Sequence, residues 1–153
     1  MKPLFKTIVI VLGVAGAMLA LLFQAERART QPEYVSLLRS LQGTNITKIV
    51  ISDNSGSVLN SVSAPVALAD FAKSVNAVEP YSPNHPGYMK EFYVELFLLD
   101  GQKREFDFHT VPSDRTIYMD FVQRNGAMTS YYSNCKSAAL FDWMKEQTPN
   151  NLP

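Results

Sequence analysis

From Thr7 to Ala25 the chain shows no alternation of apolar and polar positions at all: TIVIVLGVAGAMLALLFQA carries no charge, and only Thr7 and Gln24 are strongly polar. As a helix, nineteen residues rise about 28 Å, close to the hydrocarbon thickness of a bilayer. Lys2, Lys6 and the amino terminus precede the run, and Glu26-Arg-Ala-Arg29 follows it with a smaller positive charge. The positive-inside bias therefore predicts a cytoplasmic N-terminus (residues 1–25 with the anchor) and an extracytoplasmic remainder, periplasmic in a Gram-negative cell. Cleavage as a secretory signal after Ala15-Gly16-Ala17 is the other reading, and it gives a secreted domain. The apolar run continues through Met18–Phe23, past that site, which favours an uncleaved single-pass anchor meeting lipid through residues 7–25. Gly13 and Ala17 are four apart, as are Gly16 and Ala20. Small residues at this spacing allow close helix approach, so this face is the candidate homodimer contact.

Beyond a short polar stalk at 26–33, the pattern becomes that of a folded domain over 34–148, with 149–153 left as a flexible tail. Tyr34, Leu37, Leu38 and Leu41 share one helical face, and Gly43 is placed to stop that helix. Ile46–Ile51 is β-branched and reads as a strand, Ser52–Gly56 as a turn, and Ser57–Val62 as the return strand. Ser63 resembles an N-cap, followed by Pro65 and a face of Leu68, Phe71, Ala72 and Val75. After Tyr88 the period becomes two: Phe92, Val94, Leu96 and Leu98 alternate with more polar positions, and so do Phe106 and Phe108. A three-residue loop, Leu99-Asp100-Gly101, pairs positions whose numbers sum to 200 and sets every apolar row on one face. A two-residue Asp-Gly turn would not, so the longer loop is expected, with Gly101 in the left-handed region.

Val111–Arg115 interrupts the sheet, Ile117, Met119 and Phe121 form another inward row, and Asn125-Gly126 predicts a hairpin into Met128–Ser133. A helix bearing Leu140, Trp143 and Met144 closes the chain. The resulting class is α+β: an antiparallel sheet of about six strands packed by about three helices.

Charge narrows the function. Four of fourteen basic residues and one of fourteen acidic ones precede Thr30, leaving ten against thirteen in the domain. A mildly acidic domain without a basic stripe is no nucleic-acid binder. The single cysteine, Cys135, excludes an internal disulfide and a thiolate zinc cage. No phosphate loop, dinucleotide fingerprint, nucleophile elbow or metalloprotease helix motif occurs, so neither a cofactor nor an enzymatic activity is expected.

Two places remain where residues with usable chemistry gather. The register sets His109 opposite Glu91, and the YSPNHPGY loop brings His85 to the same end of the sheet. Two imidazoles and a carboxylate suit a divalent transition metal, and this is the alternative reading, a small metal-binding enzyme or sensor. The broader feature is the face away from the helices, where Tyr93, Phe97 and Tyr118 stand among charges, as in a protein-binding patch. Pro83 and Pro86 stiffen the arm carrying Tyr81, His85 and Tyr88, which lowers the entropy lost on contact. The sequence thus points to a non-enzymatic interaction or scaffolding role at an envelope assembly, with a protein partner.

Overall fold

The computed structural model describes residues 3–81, 90–111, 114–121 and 135–152, and at 3–7, 23, 26–34, 111 and 121 the backbone alone. Strands β1 (Ile46–Asp53), β2 (Val58–Val62), β3 (Glu79–Pro80), β4 (Lys90–Leu98), β5 (Lys103–Val111), β6 (Asp114–Phe121) and β7 (Cys135–Ser137) form one sheet of order β2-β1-β4-β5-β6-β7-β3. Every neighbouring pair is antiparallel. Helices α1 (Pro3–Ser40), α2 (Pro65–Asn76) and α3 (Ala138–Gln147), with a 3-10 turn at Gly43–Asn45, complete an α+β fold.

The β4–β5 hairpin has the expected register, with Glu91 opposite His109, Phe92 opposite Phe108 and Phe97 opposite Lys103. Gly101 lies at φ 80°. Its N–H reaches Leu98 O at 3.0 Å, and Leu98 N reaches Gln102 O at 2.9 Å, closing the three-residue loop. Phe92, Val94, Leu96, Phe106 and Phe108 are consequently buried together with Ile117 and Met119 of β6, in one cluster with Leu68, Phe71, Val75, Leu140, Trp143 and Met144 of α2 and α3. Phe71 and Trp143 meet edge to face with centroids 4.9 Å apart, and the indole N–H donates to Ala67 O at 2.9 Å.

β3 and β7 escape sequence analysis because two and three residues are too few to display a period. They build the far edge of the sheet, so α2 carries the chain from one edge, β2, to the other. Ala64, not Ser63, occupies the α2 N-cap, in extended conformation with Pro65 opening the helix. A residue before proline is pushed away from helical ψ, which delays the start by one position. α3 has a true side-chain cap: Ser137 Oγ accepts from Leu140 N at 3.2 Å and donates to Ser74 O at 2.9 Å, linking β7, α2 and α3. The expected Asn125-Gly126 turn and Met128–Ser133 strand lie outside the described residues.

Three boundaries differ from expectation. α1 is one helix of 38 residues, so no break separates an anchor, a stalk and the first domain helix. Its core-facing residues are Val35, Leu38 and, just past its end, Leu41, while Leu37 is half-buried. Among the described residues no helix is long and apolar enough to cross a membrane. The run of α1 with described side chains, 8–22, is fifteen residues, short of the roughly 20 that a span requires. The segment expected as a loose tail is packed: Lys90 Nζ donates to Asn151 O, and Leu152 is 6% exposed within the core.

Gly43 does more than end a helix. A Cβ there would lie 2.6 Å from Ala69 Cα and 2.9 Å from Ala69 N, both backbone atoms of α2 that cannot move aside. Gly43→Ala should therefore destabilise the fold by about 1–3 kcal/mol in urea unfolding, and an unchanged midpoint would mean that the turn does not pack on α2. At the other end of the sheet, Thr110 is fully buried, and among the described residues nothing pairs with its Oγ1. Thr110→Val keeps the shape and removes an unpaired hydroxyl, so it should stabilise by about 1 kcal/mol; a loss of stability would reveal a partner for that hydroxyl.

Candidate functional site

The same alternation that buries the phenylalanines exposes the opposite row. Glu91, Tyr93, Glu95 and Phe97 of β4 lie on the outer face beside Lys103, Glu105, Asp107 and His109 of β5, and Tyr118 and Asp120 of β6 pair with His109 and Asp107. Glu95 stands directly opposite Glu105, a repulsive arrangement by itself. Lys103 resolves it, with Nζ 2.7 Å from a carboxylate oxygen of each. Hydrogen bonds to Glu105 and then to Glu95 hold the Lys103 ammonium well above its ordinary pKa.

His109 is buried in this face, at 8% exposure. Its Nε2 is 3.2 Å from Asp120 Oδ2 and its Nδ1 is 3.8 Å from Glu91 Oε1. His109 and Glu91 therefore do meet, and His85 lies outside the described residues. The carboxylates address opposite ring nitrogens, whereas a metal ion takes one nitrogen and gathers its other ligands around that same point. Among the described residues no group of three His, Cys, Asp or Glu side chains could hold a metal ion. Asp120 was missed in the sequence because only the β5–β6 register, set across a break, brings it to His109.

The aromatic residues divide in two. Tyr93 and Phe97 are half-buried, with Lys48 Nζ 5.9 Å from the Phe97 ring centroid. Tyr118 is 7% exposed. Tyr81 leans on its ring at 4.7 Å, and Lys136 Nζ lies 5.9 Å from the Tyr81 centroid. Tyr118 is thereby a structural member of the face, with Tyr81 as its half-open cover. Tyr88 lies outside the described residues.

Beside this face the β1–β2 turn closes on Asp53, whose Oδ1 accepts from Ser55 N, Ser55 Oγ and Ser57 N at 2.6–2.9 Å. The Ser55 hydroxyl is the leading cause that holds the Asp53 carboxyl below its ordinary pKa. Between turn and sheet is an open depression of about 470 Å³ bordered by Asp53, Asn54, Glu91, Tyr93 and Asp107. Its polar, shallow form suits a surface contact better than enclosure of a small molecule. Cys135 is fully buried, and burial pushes its thiol up to about 12, which removes it as a nucleophile. On α1, Gly13, Gly16, Ala17 and Ala20 are exposed, and a Cβ at either glycine would meet nothing within 4 Å.

No protein-family model, no curated protein and no solved structure matches the chain.

One electrostatic feature gives a pH test. Tyr118 Oη donates to Asp114 Oδ2 at 2.6 Å and Thr116 Oγ1 to Oδ1 at 2.8 Å, with Tyr118 the larger cause of a lowered Asp114 pKa. A carboxyl depressed in the folded state adds stability above its unfolded pKa and loses it as pH falls through the folded value. Tyr118→Phe should thus flatten the fall in urea midpoint between about pH 5 and pH 2. An acid limb as steep as the wild type's would show that this hydrogen bond does not set the Asp114 pKa.

Proposed function

We propose that the chain is a single-pass membrane-anchored protein whose extracytoplasmic domain serves a non-enzymatic interaction or scaffolding role at an envelope assembly. The observation that carries the anchor is the surface of α1. Ten large apolar residues between Ile8 and Leu22 are 48–67% exposed, on every side of the helix, and the domain covers none of them. A helix apolar all round belongs in a core or a membrane, and an uncovered surface of this size does not persist in water. The backbone stays helical through Ala25, and the uncharged sequence Thr7–Ala25 supplies a full span. The basic residues before the span favour a cytoplasmic N-terminus.

The interaction role is supported by the outer face, where Tyr93 and Phe97 stand half-buried among Glu91, Glu95 and Lys103. Rigid aromatic surface bordered by charge is characteristic of protein contacts. Tyr81, half-buried against Tyr118, adds to that surface, and the rest of the Tyr81–Tyr88 arm lies outside the described residues. The metal reading on His85, His109 and Glu91 has weaker support, since Glu91 and Asp120 approach opposite nitrogens of His109.

Fractionation with crosslinking tests both parts. Full-length protein should stay with native membranes through an alkaline carbonate wash, and a chain lacking residues 1–25 should be released. A photo-reactive residue at Phe97 should capture one specific protein that the same residue at Ser55, on the exposed turn, does not. Release of the full chain would remove the anchor, and equal capture at both positions would remove the binding face.

A further inference from the structure

We infer that α1 is a rigid strut, one that fixes the height and the rotational setting of the domain over the bilayer. The inference rests on the anchor proposed above and concerns what joins that anchor to the domain. Residues 26–33 have the polar composition of a loose stalk. They are instead part of an unbroken helix from Pro3 to Ser40. The far end of that helix is not free to swivel. Val35, Leu38 and Leu41 are 7, 1 and 6% exposed in the core. Arg39 Nη2 donates to Val78 O at 3.0 Å, tying the last turn of α1 to the segment between α2 and β3. Turning α1 against the domain would pull apolar side chains into water and break that bond.

Two quantities follow from helix geometry. Ala25 and Val35 are ten positions apart, so the first core contact lies about 15 Å beyond the end of the apolar run. Each residue also sets a rotation of about 100°, so the length of the 26–33 segment decides which way the outer sheet face points around the membrane normal. A flexible tether would let that face sample all directions. A strut presents it in one, which removes part of the orientational entropy lost on meeting a partner held in the same membrane.

The test uses the full chain in phosphatidylcholine–phosphatidylglycerol vesicles, with spin labels at Leu22→Cys in the anchor and Leu99→Cys on the β4–β5 loop. These positions are 65% and 73% exposed, whereas Cys135 is buried with its thiol pushed up to about 12 and does not compete for label. The expected result is one narrow distance distribution. Replacing residues 26–33 by eight Gly/Ser residues should broaden it to a spread on the order of 10 Å, with the melting of the domain unchanged. A distribution already broad in the native chain would overturn the strut while leaving the anchor standing. Release of the labelled protein by an alkaline carbonate wash, whatever the distances, would overturn the anchor and the strut with it.

Discussion

The hairpin register between β4 and β5 is the constraint on which the rest depends. Gly101 at φ 80° allows a three-residue loop, and that loop sets Phe92 opposite Phe108 and Glu91 opposite His109. Side chains alternate with period two, so a slip of one residue would turn the phenylalanine rows to solvent and drive Glu95, Glu105 and Asp107 into the core. Burying those carboxylates would cost far more than the loop geometry itself. The inner row then specifies where α2 and α3 pack, and the outer row specifies the polar face. Core and candidate site are two consequences of one pairing.

The outer face is dense in charge, yet its charges are mutually arranged and not converged on a point. Lys103 bridges Glu95 and Glu105, Asp114 is engaged by Tyr118 and Thr116, and His109 lies between carboxylates on opposite sides of its ring. Catalytic and metal sites require groups aimed at a shared position, with a partner orienting each one. Among the described residues these groups pair with one another within and across neighbouring strands. The half-buried Tyr93 and Phe97 add apolar area to that surface without opening an enclosed pocket.

The surroundings of α1 change along its length. Between Ile8 and Leu22 its side chains are exposed, while Leu38 is 1% exposed within the core. Its sequence changes accordingly, from apolar all round to an apolar stripe at three-residue spacing. The backbone does not register the change, because hydrogen bonding within a helix is indifferent to which face is wet. The polar composition of 26–33 therefore leaves the helix unbroken.

What the sequence determined by itself was whatever depends on neighbours in the chain. The apolar run of 7–25, the faces of α2 and α3, the existence of the β1–β2 hairpin and the β4–β5 register could all be read from spacing and turn residues, since each rests on local periodicity and backbone sterics. The tertiary structure decided contacts between distant segments. The pairing of β3 with β7 at the far edge, Asp120 beside His109, Gly43 against Ala69 and the burial of Leu152 join residues with no shared period. Such contacts follow from how whole elements fill a common core. They become fixed only when the sheet order and helix packing are fixed, and no local pattern carries that information.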